Sequence, residues 1–154
     1  MNTFNDKINN LLYEYSDVLG NTEKIFIDGI GDTVCKVDTG NNAFNVLHGI
    51  NVKMNGDEVE FDTINGKRIK KKIIDNAVIN IGSGIKENRP IMLFNVKLGE
   101  EEYPEVKFTI SDRTENSEPV LLGKDFLSIL GKLIDVNKDF IDDDCIIQKV
   151  LDFF

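Results

Sequence analysis

The sequence predicts a mostly β protein, folded as a closed barrel or a sandwich. From Lys24 onward, short runs rich in β-branched residues are separated by Gly, Asn and Asp, a pattern typical of many short strands joined by tight turns. Asn55-Gly56 and Asn65-Gly66 each indicate a two-residue hairpin turn between such runs. The chain can bury a sizeable core, and no repeat or linker divides it, so we predict a single domain over residues 1–154.

An amphipathic helix is predicted first, over residues 4–19 within an N-terminal segment 1–20. Apolar side chains recur there at helical spacing, and Gly20 follows as a stop signal. The β-branched runs that come next predict strands over residues 24–28, 33–37, 50–54, 57–63, 67–74, 77–81, 90–98, 103–110 and 119–122.

The last part of the chain mixes short elements. Asp125–Leu130 follows Gly123 and is predicted to form one or two helical turns, while Leu133–Val136 and Phe140–Ile141 are predicted as two more short strands. The appended tail, residues 142–154, begins acidic and ends apolar. Because acidic residues suit the N-terminal end of a helix, a helix is predicted in this tail.

The chain is acidic, with a net charge of −9. A nucleic-acid partner is therefore not expected, because phosphate binding requires a basic face. No apolar stretch approaches the roughly 20 residues that span a bilayer. The first residues also lack the pattern of a signal peptide, so we expect a cytoplasmic protein with no membrane partner. In that reducing compartment Cys35, which lies in an apolar run, is predicted to be a buried free thiol.

One turn carries a candidate catalytic group. The run that ends at Val37 leads into Asp38-Thr39-Gly40, and aspartic peptidases use such turns to place two carboxylates where they share a proton and activate water. Neither Asp32-Thr33 nor Asp62-Thr63 is followed by Gly, so the motif occurs once. Two chains would have to meet about a two-fold axis, each supplying one carboxylate. The tripeptide alone fits a structural turn equally well.

The order and spacing of several further segments resemble the retropepsin-like aspartic proteases. The resemblance is closest to the bacterial and phage branch that carries the label "ATP-dependent zinc protease", and it runs from about Lys24 to Ile141. It rests, in order, on Lys36–Gly40 with Leu47-His48, Ile81–Gly84 leading into Arg89–Ile91, Val96–Gly99, Tyr103-Pro104, Phe108–Arg113 and Pro119–Leu127.

The resemblance implies a closed acid-protease barrel, to which the predicted helices at both termini are added, in a homodimer that hydrolyses a polypeptide substrate. Asp38 is the implied catalytic carboxylate, Thr39 the hydroxyl of a network across the dimer, and Gly40 the residue that keeps the turn open. Leu122–Asp125 is similar to the family's second apolar-Gly motif, which lies beneath the active-site strand. The implied tip of the flap hairpin over the substrate is Ile81, Gly82, Ser83 and Gly84.

Two other functions fit the same resemblance. The chain could be a dimeric peptide-binding module of this fold without turnover. It could instead be a peptidase that trims glutamate tails from proteins, since relatives are often associated with glutamate-ligating ATP-grasp enzymes and the basic run Lys67–Lys72 suits an acidic tail. That run lies in a region, residues 50–75, that resembles an insertion relative to viral retropepsins.

The remaining polar groups are interpreted as structural. His48 is predicted to be packed or to cap an element, Arg89 and Asp112-Arg113 to form ion pairs, and Lys67–Lys72 to be a solvated hairpin strand. Asp142–Asp144 is predicted to be an exposed helix cap rather than a metal site. One His and two distant Cys form no ligand set, so neither a metal nor a cofactor is predicted, despite the label of the family branch.

Overall fold

The computed structural model describes residues 3–7, 18–42 and 44–141. Residues 4–7 are helical, and one further helix, α1, spans Lys124–Leu130. The strands are β1 Val18–Ile27, β2 Gly31–Val37, β3 Asn45–His48, β4 Ile50–Asn55, β5 Glu58–Asp62, β6 Arg68–Lys72, β7 Asp75–Gly82, β8 Ile85–Leu98, β9 Glu101–Ser111, β10 Val120–Leu122 and β11 Leu133–Asp139.

Six of these strands form a closed ring of hydrogen-bonded neighbours, in the order β1, β2, β10, β3, β9 and β8. The ring closes where β8 returns to β1, with Phe26 opposite Lys97 and Ile27 opposite Val96. β10 runs parallel to β2 and antiparallel to β3, so the sheet is mixed. β11 extends it beside β1, and β7 extends it beside β8. The mostly β fold is confirmed.

The ring encloses the hydrophobic core. Alternate residues of a strand face the same side, so β1 turns Ile25 and Ile27 inward and β2 turns Cys35 and Val37 inward, all of them buried. The rings of Phe94 and Phe108 meet edge to face at 5.6 Å. Burying one such apolar side chain stabilises the fold by about 1.5–3 kcal/mol. Further fully buried members are Leu47, Met92, Leu98, Val120 and Leu122.

A second, three-stranded sheet is made by β4, β5 and β6. It packs on the core through Val59 and Phe61 of β5, both fully buried. On the opposite face, the carboxylates of β5 lie across from the basic residues of β6, in the pairs Glu58 with Lys72, Glu60 with Lys70 and Asp62 with Arg68. The basic run is therefore a hairpin strand, in which Arg68 forms ion pairs with Glu60 and Asp62 on its neighbour.

Two predicted elements near the termini are corrected. The helix predicted over 4–19 is wrong at its end, because Val18 and Leu19 belong to β1, where they pair with β11; residues 8–17 lie outside the described part. Phe140–Ile141 is not a strand, since Phe140 has a φ of 56° and its N–H turns to the carbonyl of Thr22. The predicted tail helix, residues 142–154, also lies outside the described residues.

Of the two predicted hairpin turns, one is confirmed and the other is a longer loop, and one strand was not predicted. Asn55-Gly56 does begin a tight hairpin between β4 and β5. Asn65-Gly66 lies instead in a longer loop that Thr63 closes by donating to the Lys67 carbonyl at 2.8 Å. The Asn65 side chain donates to the Ile30 carbonyl, and the loop is thereby tied to the ring. β3 was not predicted. No helix among the described residues is both long enough and apolar enough to cross a membrane.

Candidate active site

The Asp38 turn is fixed by strand pairing. β2 runs parallel to β10, with Val37 opposite Leu122. Where β2 ends, the N–H of Asp38 donates to the Leu122 carbonyl at 3.1 Å, and the N–H of Asn41 closes the turn on the Asp38 carbonyl at 3.2 Å. The turn therefore begins at a defined point on the ring, beside the end of β10.

The second motif, Leu122–Asp125, lies directly beside this turn. The N–H of Lys124 donates to the carbonyl of Asn41 at 2.8 Å, so the start of α1 is joined to the Asp38 turn. The N–H of Gly123 donates to Oδ1 of Asn45 at 2.8 Å. Two segments that are distant in the chain are thus brought together.

Asn45 is a residue that the sequence analysis missed. Its side chain is buried and makes two hydrogen bonds, accepting from Gly123 and donating from Nδ2 to the Lys107 carbonyl at 3.1 Å. It therefore links β3 and β9 to the junction of β10 and α1. A buried amide needs partners for both its ends, but only the folded chain shows which groups they are.

The Asp38 carboxylate is partly exposed, and its Oδ1 accepts a hydrogen bond from the Gly40 N–H at 3.0 Å. A Cβ atom at Gly40 would lie 3.3 Å from that oxygen. Gly40 is not in the left-handed region of φ, so its value here is the room that it leaves beside the carboxylate. Thr39 is exposed at the tip of the turn. One chain supplies one such carboxylate.

A polar cleft of about 320 Å³ opens beside Asp38. Its walls are the outer side of β2 and β10, with Lys36 and Leu121, and the loop between β9 and β10, with Arg113 and Glu118. Partial burial lowers the pKa of the Arg113 guanidinium, while the carboxylates of Glu118 and Asp38 oppose that shift. The cleft therefore combines charges of both signs around the candidate catalytic group.

Arg113 is held at both its main chain and its side chain. Its Nε donates to the carbonyl of Glu118 at 2.9 Å, and its backbone N–H donates to Nδ1 of His48 at 3.0 Å. The ion pair predicted for Asp112 and Arg113 is wrong, since the Asp112 carboxylate accepts from Thr114. Those hydrogen bonds from Thr114 lower the pKa of Asp112. That Arg113 lies beside Asp38 was not predicted from the sequence.

His48 is a packed histidine with a structural hydrogen bond. It is buried at the end of β3, and its own N–H donates to the Pro119 carbonyl at 2.8 Å. Since Nδ1 accepts from Arg113, that nitrogen carries no proton. The prediction of a packed or capping role is confirmed, and the residue that it holds lines the Asp38 cleft.

The other predicted site residues form the tip of a hairpin. Ile81 and Gly82 end β7, and Ser83 and Gly84 make the two-residue turn into β8. Gly82 and Gly84 have φ of 110° and 75°, which glycine adopts freely. Ser83 has a φ of 49°, which is uncommon for a residue other than glycine. Residues 80–88 are all exposed, so the hairpin projects from the ring. None of these four residues lines the Asp38 cleft of a single chain.

Arg89 lies near the base of the same hairpin. Its Nη2 contacts Glu87 at 3.1 Å, so the ion pair predicted for it is confirmed. Its Nε is buried and has no hydrogen-bond partner in the described part of the chain. In that same part, no group of three or more His, Cys, Asp or Glu side chains is placed to hold a metal ion.

Comparisons with known proteins identify a fold but no family. No protein-family model matches the chain, and no curated protein matches it. A crystal structure of Lpg0085 from Legionella pneumophila subsp. pneumophila, a protein with unknown function (DUF785), is similar, with a TM-score of 0.66 and 22% sequence identity. The match covers 82% of this chain and 98% of that one. The likeness shows that the two chains share an architecture.

Proposed function

We propose that the chain is a homodimeric aspartic endopeptidase with a retropepsin-like barrel. One observation carries the proposal: β10 pairs with β2 so that the Asp38 turn lies beside Gly123 and the start of α1. Because the turn is held by its backbone, the carboxylate is free to act on a ligand. The closed ring of six strands supports the barrel architecture.

In the dimer, two copies of Asp38 meet about the two-fold axis and share one proton. The ionised carboxylate takes a proton from water as the water oxygen attacks the peptide carbonyl. The protonated carboxyl donates to the carbonyl oxygen, and the tetrahedral intermediate then breaks its C–N bond as the amine gains a proton. The Gly40 N–H fixes Oδ1 in each chain, which orients the carboxylate for this exchange.

The hairpin of β7 and β8 supplies the flap. Its tip, Ile81–Gly84, is exposed and carries positive φ values that adjust readily. Val78 and Ile85 are also exposed, by 66% and 59%. These apolar side chains become buried when the hairpin closes over a substrate, and that burial favours closure. Closure also excludes water from the reacting carboxylates.

The second candidate is the non-catalytic binding module. The polar cleft beside Asp38 suits the binding of a peptide and does not require turnover. The glutamate-trimming hypothesis keeps part of its basic surface. Arg68 is already paired with Glu60 and Asp62, while Lys70 and Lys72 are exposed on β6.

Substitution of Asp38 by Asn tests the proposal. We expect cleavage of a peptide library at mildly acidic pH to disappear, because the amide cannot take a proton from water. Asp32→Asn, at an exposed position in one of the two other Asp-Thr dipeptides, is the matched control and should keep full activity. Sedimentation should show the same dimer in all three proteins. Unchanged cleavage by the Asp38→Asn protein, or a strict monomer at micromolar concentration, would reject the mechanism.

A further inference from the structure

A second cleft, which we name the β4–β8 groove, lies apart from the Asp38 cleft. Its volume is about 550 Å³. One wall is β4 and the other is the part of β8 near the base of the hairpin, while Gly49 and Ser111 line it between them. The N–H of Gly49 donates to the Ser111 carbonyl at 3.1 Å, which ties these two lining residues together. The wall residues used below are Val52, Met54, Arg89 and Pro90.

Both walls are strand edges. In the part of the chain that the structure describes, β4 pairs with β5 alone. β8 pairs with β7 from Ile85 to Ile91, and its pairing with β9 starts only at Met92. Ahead of Met92, the edge of β8 that would face β9 has no strand partner among the described residues. Unpaired strand edges are templates for an added strand.

The groove also holds a buried donor without an acceptor. Nε of Arg89 is inaccessible to solvent and unpartnered among the described residues, although Nη2 of the same side chain contacts Glu87. A buried N–H that lacks a partner is rare in folded proteins and calls for an explanation. A peptide carbonyl would provide the missing acceptor once the Arg89 side chain shifts so that Nε faces the groove.

The walls carry apolar side chains in alternate positions. Val52 and Met54 are 45% and 52% exposed, and they lie on one side of β4 because residues two apart in a strand face the same way. Exposed apolar residues at this spacing suit an extended partner with its own alternating apolar side chains. Glu87 and Arg89 pair with each other, and Asp112 adds one further carboxylate to the lining of the groove.

The groove is connected to the Asp38 cleft. A cleft of about 490 Å³ lies between them and includes His48. It shares Ile50 with the β4–β8 groove and Arg113 with the cleft at Asp38. The three clefts therefore adjoin one another in a row, from the base of the hairpin to the candidate catalytic carboxylate.

We propose that the β4–β8 groove binds an extended segment of the polypeptide substrate, away from the bond that is placed at Asp38. The segment adds a strand along the free edges, accepts a hydrogen bond from Arg89, and lays apolar side chains against Val52 and Met54. The inference rests on the proposed function. It adds that the substrate class is long, unfolded polypeptide, and that the sheet of β4–β6 serves substrate recognition.

The test compares two substrates of the wild-type protein. The first is an octapeptide selected from a library for cleavage, which occupies the cleft at Asp38. The second is a longer peptide that carries the same octapeptide with about ten extra residues on each side, since an extended chain spans roughly 3.3 Å per residue. We expect a KM lower by roughly tenfold for the longer peptide, with a similar kcat.

Substitutions in the groove should remove that advantage alone. Val52→Asp and Met54→Asp place a charge on exposed positions, so the fold should tolerate them. We expect both to raise KM for the long peptide to that of the octapeptide, and to leave kcat/KM for the octapeptide unchanged. Phe26→Asp, at another exposed apolar position, is the matched control. Equal KM values for both peptides in the wild-type protein, or an advantage that survives both substitutions, would overturn the proposal.

Binding of the long peptide to the Asp38→Asn protein separates this inference from the proposed function. With a fluorescent label on the peptide, anisotropy should show binding that Met54→Asp weakens and Phe26→Asp does not. If the wild-type protein cleaves no peptide of the library, the peptidase proposal fails, and the same measurement with an unfolded peptide of equal length still decides the groove. Equal affinity in the presence and absence of Met54→Asp would then reject it.

Discussion

The backbone N–H of Asp38 donates to the carbonyl of Leu122 at 3.1 Å, one residue beyond the last pair of the β2–β10 ladder. The candidate catalytic residue is thus positioned by its main chain, while its side chain is partly exposed and bonded to the Gly40 N–H. The main chain of Asp38 therefore sets the position of the residue, and its carboxylate supplies the candidate chemistry.

Because the main chain of Asp38 holds its position, we expect the Asp38→Asn protein to be as stable as the wild type. Asn keeps an oxygen for the Gly40 N–H, and the bond to Leu122 does not involve the side chain. We expect the free energy of unfolding in urea to change by less than about 0.5 kcal/mol, as for exposed substitutions in general. A much larger loss would mean that the carboxylate has a structural role, and the loss of cleavage could then not be assigned to chemistry.

Asn45 should behave in the opposite way. In Asn45→Leu, the buried Gly123 N–H and the partly buried Lys107 carbonyl lose the partner that the Asn45 side chain provides. Each such group costs about 1–3 kcal/mol, so we expect the free energy of unfolding to fall by about 2 kcal/mol or more, measured by urea denaturation. Asn80→Leu, at an exposed position in β7, is the control. Equal stability of the two variants would contradict the anchoring role of Asn45.

Gly49 joins the ring to the second sheet through close packing. A Cβ atom there would collide with Ile110 and come within 2.7 Å of Phe61. Because both are buried, Gly49→Ala should destabilise the protein by about 1–3 kcal/mol through overpacking. Thermal unfolding checks this, with Val52→Ala as an exposed control in the same sheet. An unchanged melting temperature would show that the core opens to admit a methyl group.

The parts of the fold that follow a local pattern were predictable. Alternating or β-branched runs predicted most of the strands, and the dipeptide Asn55-Gly56 predicted the turn between β4 and β5. β3 was missed because all four residues, Asn45–His48, are buried, so the strand has no alternation of polar and apolar residues. Val18 and Leu19 fit a helical spacing equally well, and only their pairing with β11 makes them a strand.

The candidate site divides in the same manner. The proximity of the Asp38 turn to Leu122–Asp125 was expected from the order of motifs in the chain. The positions of Arg113 and Asn45 were not, because a loop conformation and a buried amide depend on contacts between distant segments. Nothing in the local sequence distinguishes Arg113 from any other arginine of an acidic loop.

Asp62 gives a pH-dependent prediction. A hydrogen bond from Asn51, followed by one from Arg68, lowers the pKa of its carboxyl. Because the folded pKa is lowered, ionised Asp62 stabilises the fold above the pKa of the unfolded chain. That contribution is lost as the pH falls through the folded pKa. Removing the Asn51 side chain should therefore raise the titration midpoint of Asp62.

Asn51→Gly is the suitable variant, because Asn51 has a φ of 52° that Gly adopts without strain. Carbon NMR of the side-chain carboxyl follows the titration directly. We expect an upward shift of the Asp62 midpoint in Asn51→Gly and no shift in Asn80→Ala, whose side chain lies on β7. A midpoint that stays in place in Asn51→Gly would show that Arg68 alone sets the ionisation.

Cys35 should be unreactive in the folded protein. It is fully buried inside the ring, its Sγ donates to the carbonyl of Glu23, and burial raises the pKa of the thiol. The thiolate is the reactive form, so reaction with a thiol reagent requires the ring to open. In a Cys145→Ser protein, where Cys35 is the one remaining thiol, we expect a disulfide reagent at pH 8 to react only in urea. Rapid reaction in native buffer would mean that β1 and β2 separate readily from the core.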